Sequence, residues 1–292
     1  MASIKDTGER LIPKNQTQSL TYGEHLVRYK AALGIVGSKI VLDIASGAGY
    51  GTALLADKAK KITGMDYSNE AVEYSKGLYS KKNLEFIQGD AQKMPFKDSS
   101  FDVVVSLETI EHLPEPEKFV KEVVRVLKPD GLFYVSTPND DEFTEGNEYH
   151  LHEFDFKELS RLMNKYFAKK EYYYQGSWYS SGVLSASNFK KPSEVMVAEK
   201  TFTQPLKKAI YFLAVATNSK NILPNLDENI VASDRYSELE SINLSKSIQK
   251  TIDLLKKDNK ALRGEIDSIH RSKAWVYINE ASKLKKSLLR KK

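Results

Sequence analysis

A glycine-rich turn after a short apolar stretch is the first place in this chain where residue types and spacing indicate chemistry. Residues 41–51 read V-L-D-I-A-S-G-A-G-Y-G. The apolar residues 40–44 predict a buried strand and residues 50–58 predict a helix, so the glycines connect the two. Glycines let a ligand approach backbone N–H groups, and a helix N-terminus favours a negative group. We therefore predict a ligand-binding turn.

The spacing of the glycines helps to decide which class of cofactor the turn could bind. A dinucleotide site requires G-x-G-x-x-G, but Thr52 stands where that pattern needs its third glycine. The chain instead has D-x-x-x-G-x-G from Asp43 to Gly49. The carboxylate of Asp43 suits a ligand that carries an ammonium and a sulfonium, and it would repel a pyrophosphate. A tight turn without a ligand is the alternative for this motif taken alone.

Acidic residues also follow the predicted strands downstream. Asp66 ends the strand 61–66, Asp90 follows the strand 84–88, and Glu108 follows the strand 101–106. A carboxylate at Asp66 can accept hydrogen bonds from both hydroxyls of a ribose. Each acid alone is typical of a solvated loop. Open α/β sheets bind ligands at the carboxyl ends of their strands. These three acids and Asp43 are in register with one glycine turn, so together they favour a shared site.

The order of the elements predicts the fold class. Strands alternate with helices, which indicates an α/β fold with a parallel, doubly wound sheet and helices on both faces. A turn is predicted at K-P-D-G, residues 128–131. Helices are predicted at 22–33, 50–58, 69–80, 117–127 and 155–166, the last with Asp155 as its N-cap, and the fifth strand at 132–137.

Four segments carry a resemblance to a known family. Residues 41–51, G-M-D-Y-S at 64–68, G-D-A-Q-K-M-P-F at 89–96 and F-D-V-V-V-S-L-E-T-I-E-H-L at 101–113 resemble successive motifs of class I S-adenosylmethionine (SAM) dependent methyltransferases. The group is the one typified by ubiquinone and sugar methylases. The resemblance covers residues 1–217. It implies a seven-stranded, Rossmann-like sheet closed by an antiparallel pair, for which 171–179 and 208–216 are the candidate strands.

Four other segments resemble a narrower group of methyltransferases. T-G-E-R at 7–10, E-H-L-V-R-Y at 24–29, N-E-Y-H-L-H-E-F at 147–154 and Y-F-L-A-V-A-T-N at 211–218 look like a group found with polysaccharide and glycan assembly enzymes. The family resemblance also implies SAM as the cofactor. In the family, Asp90-Ala91 corresponds to the adenine-binding element and Glu108 lies beside the methionine moiety. The cofactor-binding residues implied or predicted are Asp43, Ser46, Gly47, Gly49, Asp66, Tyr67, Asp90, Ala91 and Glu108.

Histidines are the candidates for catalysis. A sugar hydroxyl is a poor nucleophile at neutral pH, so a nearby histidine is the economical base. His112 follows the fourth strand, and its alternative role is to hold the turn by hydrogen bonds. His150 follows the fifth strand on the expected acceptor side, and we favour it as the base. His25, in the leader helix, is expected to line the ligand-binding cleft or to pack beside it. Spacing along the sequence shows no metal-ligand constellation, so no metal site is predicted.

Composition limits the class of protein. The 292 residues include no cysteine, which excludes disulfides, thiolate metal sites and cysteine nucleophiles. Residues 1–10 lack the apolar core of a signal peptide and the apolar run 209–216 is too short to span a bilayer, so a cytoplasmic protein is predicted. Residues 236–292 hold 14 Lys+Arg against 7 Asp+Glu, which leaves 30 against 32 elsewhere. The globular part is therefore not predicted to bind nucleic acid.

The C-terminal part has a seven-residue repeat of apolar side chains. A second row, offset by four residues, contains Asn259. We expect a coiled-coil helix over 238–278 that forms a parallel homo-oligomer; the alternative is a helix packed on its own domain. Six basic residues in 283–292, near Trp275, suggest peripheral contact with an anionic membrane. The repeat consists of Ile248, Leu255, Leu262, Ile269 and Val276.

These observations lead to one organisation of the chain. We expect a leader and lid helix at 1–36, a SAM-binding methyltransferase domain at 37–217, a linker at 218–235, and the coiled-coil helix with its basic tail at 236–292. The predicted activity is methyl transfer from SAM to a hydroxyl of a saccharide or related small molecule in glycan biosynthesis. The alternatives are methylation of a quinone or an amino-sugar nitrogen, and a non-catalytic scaffold in a glycan-assembly complex.

Overall fold

A computed structural model describes residues 4, 11–12, 20–142, 149–177, 205–220, 222–224 and 226, and isolated positions at 257, 260, 262 and 268. The chain divides into two compact units, Met1–Asp234 and Arg235–Lys292. The four described positions in the second unit are helical. The rest of the predicted coiled coil and its basic tail lie outside the described residues.

The first unit contains seven strands and five α-helices in its described part. The strands are β1 (Ile40–Ile44), β2 (Lys61–Asp66), β3 (Leu84–Gln88), β4 (Phe101–Leu107), β5 (Leu127–Pro138), β6 (Lys169–Gln175) and β7 (Tyr211–Thr217). The helices are α1 (Leu20–Val36), α2 (Tyr50–Leu55), α3 (Asn69–Leu78), α4 (Pro116–Val126) and α5 (Phe156–Tyr166). Two short 3₁₀ helices occupy Ile110–His112 and Leu206–Lys208.

All seven strands belong to one sheet in the order β3-β2-β1-β4-β5-β7-β6. Strands β1 to β5 pair in parallel, whereas β7 is antiparallel to both β5 and β6. The near-continuous apolar sequences of β1, β4 and β7 fit strands that are covered on both faces. The predicted seven-stranded α/β sheet, including its antiparallel closing pair, is confirmed.

Helices cover both faces of the sheet, and the alternation along β4 shows how. Val103 and Val105 are buried in a cluster with residues of α1 and α2, whereas Val104 is buried in a cluster with residues of α4 and α5. This follows from the two-residue period of side chains along a strand. Helix α5 begins as predicted, because the Asp155 carboxylate accepts a hydrogen bond from the Glu158 N–H at 2.7 Å. In the described part of the chain, no helix has the length and apolarity needed to cross a bilayer.

Strand β5 begins earlier than its sequence predicts. The predicted turn at residues 128–131 lies inside the strand, which starts at Leu127. Leu127 pairs with Phe101 and Leu132 pairs with Val103, so β5 advances five residues while β4 advances two. The extra residues form a bulge, which an ion pair between Lys128 and Asp102 at 2.8 Å stabilises. The Pro-Asp-Gly signal therefore marks an irregularity within a strand.

Helix α1 packs so closely on α2 that a methyl group added at Gly51 should destabilise the fold. A Cβ added at Gly51 would overlap the ring of Tyr29, a buried residue of α1. We expect Gly51→Ala to lower the free energy of unfolding by roughly 1–3 kcal/mol, because the ring must move out of a close-packed core. Gly77→Ala is the matched control, since a Cβ at Gly77 meets no atom within 4 Å and alanine favours the helix. Urea denaturation measures both, and equal stabilities of the two variants would contradict the packing of α1.

Candidate active site

The turn between β1 and α2 has the shape that its glycines predict. Gly47 and Gly49 have φ angles of 55° and 79°, in the left-handed region. A Cβ at Gly49 would lie 2.5 Å from Oγ of Ser75, so this glycine is needed for packing. A Cβ at Gly47 would find no atom nearer than a backbone oxygen at 4.0 Å. The backbone at Gly47 therefore borders open space that a ligand can enter.

Asp66 joins the glycine turn to the end of β2. Its Oδ2 accepts a hydrogen bond from the Gly47 N–H at 2.8 Å, and its Oδ1 accepts one from the Ser68 N–H at 2.9 Å. The residue is 9% exposed. Each carboxylate oxygen keeps a further lone pair, so Asp66 can still accept hydrogen bonds from the hydroxyls of a ligand beside the turn.

Asp43 is linked by a hydrogen bond to Thr52, in the helix that follows the turn. It is fully buried, and its Oδ2 accepts a hydrogen bond from Oγ1 of Thr52 at 2.6 Å. The hydroxyl of Tyr29 lies 3.4 Å from the same oxygen. Burial raises the pKa of Asp43 to about 7. Thr52, which replaces the third glycine of a dinucleotide motif, thus has a structural role. Direct contact of Asp43 with a cofactor stays a prediction.

The predicted adenine and ribose residues lie at neighbouring strand ends. Asp90 follows β3, and its Oδ1 accepts a hydrogen bond from the Gln92 N–H at 2.8 Å. Ala91 is largely buried, whereas Tyr67, next to Asp66, is 77% exposed. The two loops are linked by the Gln88 side chain, which donates a hydrogen bond to the Tyr67 carbonyl at 3.1 Å. The structure therefore places these residues at the neighbouring ends of β2 and β3, and their contact with adenine and ribose stays a prediction.

Glu108 at the end of β4 has an unusual backbone. Its φ is 51°, a conformation that costs energy for a residue with a side chain and that occurs preferentially at functional sites. Oε1 of Glu108 accepts a hydrogen bond from Oγ of Ser136 at 2.6 Å and lies 4.0 Å from Nε of Arg28. The backbone thus directs this carboxylate toward α1 and β5.

Arg28 of α1 is a site residue that sequence reasoning missed. The residue has no exposed surface, and its Nη1 donates a hydrogen bond to Oε1 of Gln175 at 2.9 Å. Nε and Nη2 are buried and make no hydrogen bond. A carboxylate would satisfy both N–H groups in a bidentate pair. Arg28 precedes the apolar residue Ala32 by four positions, one helical turn, and this spacing was the available signal that Arg28 faces the sheet.

The two candidate bases lie together. Nδ1 of His112 is 3.0 Å from the Tyr149 carbonyl, and Nδ1 of His150 is 2.8 Å from Oε1 of Glu153. The two imidazole rings meet edge to face with centroids 4.8 Å apart. His112 therefore holds a loop by a hydrogen bond, and it also lies beside His150; a catalytic role for either histidine stays a prediction. For His25, burial and the charge of Arg28 hold the pKa well below its usual range.

Glu111 completes this group and was not singled out from the sequence. It is 1% exposed, and its Oε2 accepts a hydrogen bond from Oγ1 of Thr137 at 3.2 Å. Its Oε1 is buried, accepts no hydrogen bond, and lies 4.0 Å from Nε2 of His112. Burial and the nearby charge of Glu108 raise the pKa of Glu111 well above its usual range.

Comparisons with known proteins agree with this architecture. Residues 42–135 match the family described as "Methyltransferase domain". A Mycolicibacterium smegmatis protein described as a "probable S-adenosylmethionine-dependent methyltransferase" is 36% identical over 162 residues, 54% of this chain and 62% of that protein. A fatty-acid O-methyltransferase of the same organism is 35% identical over 125 residues, 42% of this chain and 46% of that enzyme. The chain thus spans about three fifths or less of these two relatives.

A solved structure shows the same fold. A SAM-dependent methyltransferase from Thermotoga maritima aligns with a TM-score of 0.53 at 21% identity, over 72% of this chain and 97% of that one. The fold is therefore that of class I methyltransferases, with a methyltransferase-type sequence through residues 42–135. The predicted methyltransferase domain is confirmed by the family match over residues 42–135. The relative described as SAM-dependent supports the predicted cofactor, SAM. The association with polysaccharide biosynthesis finds no support in these relatives.

The raised pKa of Asp43 gives a pH dependence that can be measured without any ligand. The folded protein keeps the Asp43 proton up to about pH 7, whereas the unfolded chain releases it near its ordinary pKa of 3.8. Stability should therefore fall as the pH rises through this window, by at most about 1.4 kcal/mol per pH unit from this group. Asp43→Asn cannot titrate, so its stability should fall less steeply between pH 5 and 7. Urea denaturation at each pH checks this, and parallel curves for parent and variant would rule it out.

Proposed function

We propose that this protein is a SAM-dependent methyltransferase that methylates a hydroxyl group of a small molecule, with a saccharide hydroxyl as the favoured acceptor. SAM supplies an electrophilic methyl group: the new O–CH₃ bond forms as the S–CH₃ bond breaks, and the electron pair stays on sulfur to give S-adenosylhomocysteine. One observation carries the proposal. The glycine turn with Asp66 and the group of His112, His150 and Glu111 all lie at carboxyl ends of strands or in the loops that follow.

The residues on the glycine side fit SAM. The open space at Gly47 admits a ligand to the backbone of the turn, and Asp66 keeps lone pairs for the two ribose hydroxyls. Asp90 and Ala91 provide an acceptor and a backbone donor for the adenine. The unsatisfied N–H groups of Arg28 suit the carboxylate of the methionine moiety. Together these groups would bind the ribose, the adenine and the carboxylate of SAM.

The residues on the histidine side fit a hydroxyl acceptor. A hydroxyl must lose its proton during transfer, and an imidazole is the side chain best matched to neutral pH. Oε1 of Glu153, 2.8 Å from Nδ1 of His150, holds this ring in one orientation. We therefore keep His150 as the favoured catalytic group, with His112 beside it.

The acceptor class rests on two further arguments. A carboxylate acceptor is already ionised and needs no base, so the histidine pair favours a hydroxyl over a fatty acid. The similarity of residues 147–154 to glycan-associated methyltransferases favours a saccharide, with a quinone or amino-sugar nitrogen as alternatives.

Incubation with labelled SAM and a panel of free saccharides, a quinol and palmitate tests the acceptor class. Labelling of palmitate alone would overturn the hydroxyl proposal. The coiled-coil oligomer and the membrane contact of the tail stay predictions.

Two substitutions separate cofactor binding from catalysis. Asp66→Ala should weaken SAM binding by on the order of 2 kcal/mol, because it removes the acceptor for two ribose hydroxyls and a bond that holds the glycine turn. His150→Ala should keep the SAM affinity and lower turnover by roughly a hundredfold or more. Titration calorimetry measures the affinity, and release of S-adenosylhomocysteine with the acceptor found in the panel measures turnover.

The control for this pair is Glu73→Ala on the exposed side of α3, where Glu73 forms only a surface ion pair with Lys76 among the contacts described. It should match the parent in both measurements. SAM binding to the Asp66 variant with parental affinity would show that the cofactor lies elsewhere. Absence of SAM binding to the parent would favour the non-catalytic scaffold.

A further inference from the structure

We propose that Glu111, His112 and His150 form a binding site for a divalent transition-metal cation, and that this cation activates the acceptor hydroxyl. The second half of this inference rests on the proposed function. One ligand atom from each of the three residues lies within 4.8 Å of the others. Ligand atoms about 2.1 Å from one tetrahedral ion lie about 3.4 Å apart, so side-chain movements of about 1 Å would complete the site.

The ligand types indicate the class of cation. Two imidazoles and one carboxylate suit Zn²⁺, Co²⁺, Mn²⁺ or Fe²⁺. Mg²⁺ and Ca²⁺ prefer sites made of oxygen ligands. Three protein ligands also leave at least one position for a further oxygen, as in catalytic rather than structural metal sites. The set therefore favours a transition metal with room for a substrate atom.

An unsatisfied carboxylate oxygen is the second, independent observation. Oε1 of Glu111 is buried and accepts no hydrogen bond, which leaves a desolvated polar atom without compensation. A cation held between Glu111 and the two histidines would supply the missing partner.

The hydrogen bonds of the imidazole rings match those of metal-binding histidines. The Tyr149 carbonyl can only accept a hydrogen bond, so Nδ1 of His112 carries the proton and the lone pair lies on Nε2. The Glu153 carboxylate selects the same tautomer for His150. A carboxylate or carbonyl behind each ligating histidine is the usual arrangement that fixes the ring and raises its basicity. Glu153 is therefore a positioning residue.

Backbone hydrogen bonds fix the ligands relative to one another. The N–H groups of Leu151 and His152 both donate to the carbonyl of Glu111, at 2.9 and 3.0 Å. The segment that carries His150 is thereby attached to the 3₁₀ helix that carries Glu111 and His112. Ligands distant in sequence are thus held in place before any cation binds.

The cation would change how the acceptor loses its proton. A hydroxyl oxygen bound to a divalent cation has a lowered pKa, and its proton can pass to water. The oxygen then attacks the methyl group with its own electron pair, and no oxidant or reductant takes part. In this arrangement His112 and His150 serve as ligands, and the cation replaces the imidazole as the activating group.

Binding of Co²⁺ to the protein of 292 residues tests the site without any assay of activity. After removal of metals with a chelator, titration should show one Co²⁺ per chain and a visible d–d absorption spectrum typical of nitrogen and oxygen ligands. Glu111→Gln, His112→Ala and His150→Ala should each weaken Co²⁺ binding at least tenfold. Glu153→Gln should weaken it about tenfold through the orientation of His150.

His152→Ala is the matched control, because His152 lies two residues from His150 and instead faces Glu158 at 3.7 Å. It should bind Co²⁺ like the parent. Circular dichroism checks the fold of each variant, and His150→Gln replaces His150→Ala if the latter does not fold. Failure of the parent to bind Co²⁺, or parental affinity in the His112 and His150 variants, overturns the proposal. So does equal weakening by His152→Ala.

SAM titration of the metal-free parent separates this inference from the proposed function. SAM binding together with no Co²⁺ site would leave a metal-independent methyltransferase and reject only the cation. Co²⁺ binding at the three ligands without SAM binding would uphold the metal site and reject the methyltransferase. Each proposal can therefore fail while the other stands.

Discussion

The charge of Arg28, removed completely from water, is the constraint on which the arrangement of this domain depends. A buried guanidinium costs several kcal/mol unless other groups compensate it. Compensation comes from Gln175 on β6, the Tyr211 ring on β7 and the carboxylate of Glu108 after β4, while the Arg28 carbonyl accepts a hydrogen bond from Tyr134 on β5. Helix α1 therefore has one favourable position on the sheet, and that position brings it to the end of β4 where the site begins.

The register between β4 and β5 determines how the carboxylates of Glu108 and Glu111 are oriented. Leu107 pairs with Ser136. The Ser136 hydroxyl therefore lies close enough to donate a hydrogen bond to the carboxylate of Glu108, the residue after Leu107. The following residue of β5, Thr137, donates to Glu111. Two consecutive hydroxyl residues on one strand thus orient two carboxylates on the loop after the neighbouring strand. A shift of one residue in this pairing would turn both hydroxyls to the wrong faces of the sheet.

Features that depend on local sequence were predicted well, and features that depend on distant contacts were not. The buried strands, the glycine turn and the Asp155 cap each follow from a few adjacent residues. The early start of β5 was missed because a Pro-Asp-Gly signal resembles a turn and the bulge is visible only through the pairing partner. The group of Glu111 with two histidines was missed because no spacing rule relates residues joined through a loop and a 3₁₀ helix. A buried charge such as Arg28 likewise resembles a surface residue until its partners are known.

The part of the chain between Asn139 and His152, which carries His150, is anchored at both ends by hydrogen bonds. At its start, Asn139 donates hydrogen bonds to the carbonyls of Ala209 and Ile210 on the β7 side. At its end, two backbone N–H groups bind the Glu111 carbonyl. Both anchors restrain the place of His150, so a substitution at Asn139, which lies outside the group of Glu111 and the two histidines, would still disturb that group. Position 139 is therefore a remote control point for the geometry of that group.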